Sequence, residues 1–168
     1  VAGPTFGSPV AEAILDLDSP LRQVVLGGMN ALAMIINGLS NNPTDTGQSA
    51  FNSLTSFTHA ESSAFNSRHP EGVPASECAE GERYESNGVQ YFSFGGSSPF
   101  TNFLDPTDAL FVTTSLAFKR GVKNDGMVGS CSSHLGMVIR DDYRMNHLDE
   151  VNMMLGLHSI FEVDPLAV

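Results

Sequence analysis

The sequence predicts an α/β fold, because helical patterns in its first part are followed by strand and turn patterns. Residues 23–44 carry no charged side chain and place apolar residues at helical spacing, and residues 48–66 suggest a second, more polar helix. Residues 84–92 contain Asn87-Gly88 between alternating segments, which favours a hairpin with a type I′ turn, and residues 92–96 continue as a strand. We expect residues 1–168 to form a single unit.

The charge balance excludes some classes of partner. The formal net charge is −11, and Lys and Arg together number only eight. Nucleic acids and anionic membranes attract basic patches, so binding to either through charge is not expected. The first residues have no basic segment and no cleavage site, so they are not predicted to be a signal peptide.

The charge-free segment at residues 23–44 is too apolar for an ordinary surface helix. Gln23, Gly27, Asn30 and Asn37 fall on one narrow stripe of a helix and leave a wide apolar face. A transmembrane span is not expected, because the apolar run is short and is interrupted by glycine and asparagine. Two interpretations stay open, a buried core helix and a mobile lid that binds an interface.

The two cysteines, Cys78 and Cys131, belong to no C-x-x-C motif, so the sequence shows neither a zinc nor a redox signature. In a secreted protein they would pair with each other. In a cytosolic protein they would be two free, buried thiols.

Carboxylates at predicted turns form the first group of candidate site residues. Asp105 and Asp108 lie on either side of Pro106, and Asp125 lies in the turn at residues 123–129. Loops that present carboxylates in this way suit hard cations such as calcium. Aspartates also cap backbone amides at turns, and both interpretations stay open.

A histidine on a loop forms the second group. His147 is followed by Asp149, which we expect to cap the helical pattern that begins there. In Ser-His-Asp chemistry an imidazole takes the proton of the serine hydroxyl, and an acid on the far side of the ring stabilises the imidazolium. Asp125 and His147 fit these two roles.

Four segments carry a resemblance to a known family, namely residues 97–106, 124–129, 131–140 and 143–152. They resemble the C-terminal portion of secreted bacterial triacylglycerol lipases of the Pseudomonas type, which belong to the α/β-hydrolase superfamily. A weaker similarity extends over the rest of the chain. The order of acid before histidine also agrees with that superfamily.

The resemblance implies a partial α/β-hydrolase domain with a helical lid at about residues 20–42. It implies that Asp125 is the triad acid, that His147 is the general base, and that Cys78 and Cys131 form a disulfide. It also implies a structural Ca²⁺ ion held by the carboxylates of Asp105 and Asp149. The backbone carbonyls of two further residues, Met153 and Leu157, would complete that site.

The resemblance further implies a secreted enzyme that hydrolyses triacylglycerol or another lipid ester at a lipid–water interface. No G-x-S-x-G motif occurs in these residues, so the serine nucleophile and the oxyanion hole are expected in an N-terminal lipase portion. A lipase-specific foldase chaperone is an expected partner. The alternatives are a related sterol or carboxyl esterase, and a non-catalytic, calcium-binding lipase fragment.

Overall fold

The computed structural model describes residues 3–18, 20, 22–23, 26–27, 50–85, 87–152 and 159. Short helices precede and separate two strands that pair with each other. In chain order the elements are α1 (Pro9–Leu15), α2 (Ala50–Ser56), α3 (His59–Arg68), β1 (Phe92–Gly96), α4 (Asp108–Thr114) and β2 (Met137–Tyr143), with 3-10 helices at Ser115–Ala117, Cys131–Ser133 and Asp149–Val151.

The hydrophobic core of the described residues forms where α1 meets α2. Helix α1 begins at Pro9, whose fixed φ suits the first helical position, and the Ser8 side chain accepts a hydrogen bond from the Val10 N–H at 3.2 Å. The buried face of α1 packs against one buried leucine of α2. The buried members of this cluster are Val10, Ala11, Ile14 and Leu54.

The helix predicted over residues 48–66 is two helices in the structure. Helix α2 ends at Ser56, and α3 begins at His59. Thr58 separates them, because its extended backbone interrupts the helix and its side chain accepts a hydrogen bond from the Glu61 N–H at 3.4 Å. An N-cap residue inside an otherwise continuous helical pattern therefore divides it.

Strands β1 and β2 are parallel, with Phe92 opposite Met137 and Ser93 opposite Val138. Parallel strands need a long crossover, and the crossover here contains α4 and the loops that carry Asp105 and Asp125. The strand predicted at residues 92–96 is confirmed. Helices around a small parallel sheet agree with the predicted α/β class.

The hairpin predicted at Asn87-Gly88 is present, but its turn differs from the expected type. Tyr84 and Gln90 form an antiparallel bridge. The Gly88 N–H donates to the Glu85 carbonyl at 2.9 Å, which makes Gly88, with a φ of 78°, the last of the four turn residues. A type I′ turn on Asn87-Gly88 needs both residues at its centre, so the prediction of that turn was wrong.

Most of the segment predicted as a lid, about residues 20–42, lies outside the described residues. Among the residues that are described, no helix is long and apolar enough to cross a membrane.

Cys78 and Cys131 form a disulfide, with their Cα atoms 4.4 Å apart. The sequence left free thiols open as an alternative, and the resemblance implied the bond. The disulfide ties the loop after α3 to the 3-10 helix at Cys131–Ser133, and the 53 residues it spans include β1, α4 and Asp125.

Candidate active site

Asp125 lies in a tight loop that hides its carboxylate from solvent. The residue is 1% exposed, and its Oδ1 accepts hydrogen bonds from the N–H groups of Met127 at 2.7 Å and Val128 at 2.6 Å. The loop therefore holds Oδ1 in place and leaves Oδ2 for another partner.

Gly126 allows the backbone to turn beside this carboxylate. Its φ is 97°, and a Cβ atom at this position would overlap the Cβ of Phe111 in α4. An L-amino acid with a side chain would be strained in that conformation and would also push α4 away. Glycine is thus required where the Asp125 loop packs against α4.

His147 meets the free oxygen of Asp125. Its Nδ1 is 2.7 Å from Asp125 Oδ2, and its backbone N–H donates to the Asp125 carbonyl at 3.1 Å. The ring packs edge-on against Phe111, with 6.5 Å between ring centroids. The His147 side chain is 33% exposed, and among the described residues its Nε2 has no hydrogen-bond partner.

Two other histidines in the described part of the chain pair with acids, and neither has this arrangement. His59 pairs with Glu12 at 2.8 Å, but both side chains are exposed, and the hydrogen bond from His59 lowers the pKa of Glu12. The His134 ring is buried, with Nε2 facing Asp141 and Nδ1 facing a backbone carbonyl, so both nitrogens are occupied. Only the Asp125–His147 pair, of these three, joins a buried acid to an imidazole with an accessible second nitrogen.

Glu150 is a third member of this site that the sequence reasoning missed. It is buried, its Oε1 accepts a hydrogen bond from the Gly96 N–H at the end of β1, and its ligand atom lies within 4.8 Å of those of Asp125 and His147. Burial raises the pKa of Glu150 well above its usual range, and repulsion from Asp125 adds to the shift. The only signal in the sequence was a second acid beside Asp149.

Asp105 and Asp108 each cap a turn, and both are buried. Asp108 Oδ2 accepts from the N–H groups of Thr101 and Asn102, both at 2.8 Å. Asp105 Oδ1 accepts from the Thr107 N–H at 2.7 Å and from its hydroxyl at 2.6 Å. The turn-capping interpretation therefore applies to both residues.

Asp149 joins them as a third buried carboxylate, with no exposed surface. Its Oδ2 accepts the Asn146 N–H at 3.1 Å, whereas its buried Oδ1 has no hydrogen-bond partner among the described residues. Burial raises the pKa of Asp149 to about 6, and repulsion from Asp105 and Asp108 adds to this shift. A buried carboxylate oxygen without a partner is unfavourable unless a cation or another donor reaches it.

Asp149 was expected to cap a helix, and this expectation was wrong. It lies inside the 3-10 helix Asp149–Val151, whose N-cap residue is Leu148. The side chain that caps the turn leading into this helix is Asn146, whose Oδ1 accepts from the N–H groups of Leu148 at 2.9 Å and Asp149 at 3.0 Å. Asp149 bonds back to the Asn146 N–H, as in a capping box. The spacing Asn-x-x-Asp was the signal that could have found Asn146.

The donor sets of the two acidic groups differ. Asp105, Asp108 and Asp149 offer only carboxylate oxygens, the ligands that calcium prefers, and Asp149 Oδ1 is unpartnered among the described residues. The group of Asp125, His147 and Glu150 includes an imidazole, which suits transition metals better than calcium. By donor chemistry alone, calcium suits the carboxylates of Asp105 and Asp149 better than the group that contains the imidazole. The other two predicted ligands, Met153 and Leu157, lie outside the described residues.

Comparisons of the sequence with known proteins identify relatives of the chain. No family model matches the chain. It is 44% identical over 174 residues to a triacylglycerol lipase of Vibrio cholerae, covering 100% of this chain and 54% of the relative. It is 35% identical over 164 residues to a triacylglycerol lipase of Pseudomonas fragi, covering 92% of this chain and 55% of the relative.

The match extends to a triacylglycerol lipase of Burkholderia plantarii, at 29% identity over 201 residues and 55% of that relative. The chain therefore spans about half the length of the curated relatives it matches. These relatives imply an α/β-hydrolase type of fold, in agreement with the helices and parallel strands described above. The chain is homologous to these bacterial triacylglycerol lipases and corresponds to a portion of them.

Proposed function

We propose that this chain supplies the acid and the base of a Ser-His-Asp triad in a secreted lipase that hydrolyses triacylglycerol at lipid–water interfaces. The observation that carries the proposal is the buried Asp125 carboxylate 2.7 Å from Nδ1 of the half-buried His147. The names of the relatives support the reaction class.

The geometry suits the proton transfers of ester hydrolysis. Nε2 of His147 would take the proton of a serine hydroxyl while the serine oxygen attacks the ester carbonyl carbon, and would then give that proton to the departing alcohol. Water would hydrolyse the acyl-enzyme by the same route. Asp125 would stabilise the imidazolium, because its carboxylate lies 2.7 Å from Nδ1 and is shielded from water.

The serine and the oxyanion hole belong to the N-terminal lipase portion in this proposal. The support is that no G-x-S-x-G motif occurs in these 168 residues, whereas the relatives are about twice as long. The resemblance adds a lid at about residues 20–42 and a foldase chaperone as partner. The charge-free run at residues 23–44 supports the lid.

We also propose a structural Ca²⁺ at Asp105 and Asp149, with the backbone carbonyls of Met153 and Leu157. The unpartnered Oδ1 of Asp149, among the described residues, and the mutual repulsion of the buried carboxylates support it. When bound, the ion supplies positive charge that offsets this repulsion. Asp149 lies two residues after His147, so the chain itself would transmit that stabilisation to the base.

The test combines intact mass spectrometry of the purified protein with labelling by an alkyl phosphonate that modifies activated serines. We expect the phosphonate to label a polypeptide in the preparation. This labelling should be lost in His147→Gln and retained in His59→Ala. His59 is a suitable control, because it also pairs with a carboxylate but on the surface. A preparation that takes up no label would overturn the proposal and leave a non-catalytic lipase fragment.

Substrate preference distinguishes a lipase from the related esterases. We expect the protein to hydrolyse emulsified long-chain triacylglycerol, with a rate that rises steeply once the substrate forms an interface. Equal or better turnover of a dissolved short-chain ester would identify a carboxylesterase, and preference for a sterol ester would identify a sterol esterase.

A further inference from the structure

Asn146 makes every hydrogen bond that its side chain can make. The residue is fully buried, and its Nδ2 donates to Asp105 Oδ2 at 3.0 Å and to Asp108 Oδ1 at 2.8 Å. Its Oδ1 accepts from the backbone N–H groups of Leu148 and Asp149. An asparagine side chain has two N–H donors and one carbonyl oxygen with two lone pairs, so its capacity is used completely.

These bonds connect the acidic cluster, defined as Asp105, Asp108 and Asp149, to the residue before His147. On the other side, His147 is fixed to Asp125 by its ring and by its backbone N–H. Asn146 and His147 therefore form one short segment held between the acidic cluster and Asp125. A shift of the cluster must move this segment or break one of these bonds.

We propose that Asn146 is a positioning residue that couples the acidic cluster, and the cation bound there, to the orientation of His147. The inference rests on the proposed function for its catalytic consequence, but the coupling itself is a property of the chain. A cation at Asp105 and Asp149 would fix both carboxylates. The Nδ2 group of Asn146 donates directly to the Asp105 carboxylate, so a movement of that carboxylate moves the Asn146 side chain. The side-chain oxygen of Asn146 accepts from the backbone N–H of Asp149.

Capping and coupling use different atoms of Asn146, so they can be separated. Asn146→Ser keeps a hydroxyl that can cap the following turn but is too short to replace the amide donors to Asp105 and Asp108. Asn146→Asp keeps the shape and the capping oxygen but places an acceptor against two carboxylates. The matched control is Asn66→Ser, because Asn66 donates to the Thr5 carbonyl at 2.7 Å away from the acidic cluster.

The experiment compares Ca²⁺-loaded and chelated forms of each protein in the preparation used for labelling. Thermal unfolding reports whether Ca²⁺ binds. Proton NMR of the hydrogen-bonded Nδ1–H of His147, assigned as the signal that Asp125→Asn removes, reports the orientation of the imidazole. Phosphonate labelling and the separate values of kcat and KM report catalysis.

In the wild type and in Asn66→Ser, we expect Ca²⁺ to raise Tm and to change the His147 signal. In Asn146→Ser, we expect Ca²⁺ still to raise Tm while the His147 signal no longer responds. The labelling rate and kcat should fall roughly 10- to 100-fold, the usual effect of removing a hydrogen-bond partner behind a ligand, with KM little changed. Asn146→Asp should lose the response as well.

Two outcomes would overturn the coupling. One is a wild-type His147 signal that is the same with Ca²⁺ and with chelator. This measurement uses the wild type alone and so does not depend on the folding of any variant. The other is an Asn146→Ser protein whose His147 signal still follows Ca²⁺ and whose kcat is unchanged, which would make Asn146 a cap only. Failure of the proposed function looks different, because the phosphonate would then label nothing while the NMR and Tm results still decide the coupling.

Discussion

Removing the disulfide between Cys78 and Cys131 should destabilise the protein by about 4 kcal/mol. The cysteines are 53 residues apart, and the chain-entropy relation for a loop of that size gives about 14 cal/mol/K, or about 4 kcal/mol at 25 °C. The effect acts on the unfolded chain. In the folded state, the hydrogen bond from Ser130 Oγ to the Gly96 carbonyl at 3.1 Å also holds the Cys131 region in place.

The double variant Cys78→Ser/Cys131→Ser tests this estimate. Urea unfolding should be followed by far-ultraviolet circular dichroism, because the chain has no tryptophan. A loss of about 4 kcal/mol corresponds to a fall in Tm of roughly 8–16 °C for a protein of this size. Reductant should lower the stability of the wild type to that of the double variant and should not affect the double variant itself.

A loss of less than about 1 kcal/mol would refute the reasoning, because the relation assigns several kcal/mol to a loop of this length. Equal sensitivity of both proteins to reductant would show that the effect does not come from this bond. The loop carries Asp105, Asp108 and Asp125, so labelling should fall in the double variant before global unfolding if the bond also stabilises the site.

Three further predictions concern the site itself. Asp125→Asn should lower kcat roughly 10⁴-fold by presenting the wrong hydrogen-bonding group to the imidazole, while His59→Ala leaves kcat unchanged; a loss below about 10-fold in ester turnover would contradict the assigned role. Gly126→Ala should destabilise the protein by at least about 1–2 kcal/mol in urea unfolding, because of its positive φ and the overlap with Phe111, and unchanged stability would contradict this packing. Chelation should lower the free energy of unfolding of the wild type by about 2.7 kcal/mol if the Ca²⁺ concentration had been about 100-fold above its Kd, and should leave that of Asp149→Asn unchanged. If chelation shifts the Tm of both proteins equally, the ion binds elsewhere.

The order of elements was predictable where local pattern decides it. The strand at residues 92–96 and the hairpin before it follow from alternation and from the glycine that closes the turn. The division of residues 48–66 into two helices was missed, because Thr58 suits a helix surface as well as an N-cap. The hairpin's turn type was also missed, since the same Asn-Gly pair fits two turn geometries.

The sequence by itself determined the residue types on which the chemistry depends. It placed Asp125 and His147 on loops and Asp105 at a turn. The resemblance supplied the roles of these three residues and added Asp149 as a calcium ligand. The type and position of each residue are fixed by the amino-acid order, so they do not depend on how the chain folds.

Only the tertiary structure decided which of these groups meet and which are desolvated. The sequence contains five histidines and many carboxylates, and nothing local distinguishes the pair at His147 from the pair at His59. The closeness of Glu150 to Asp125 and the bonds of Asn146 to Asp105 join segments far apart in the chain. Burial and the number of hydrogen bonds at each carboxylate depend on that convergence, because the environment of a charged group is set by its neighbours in space.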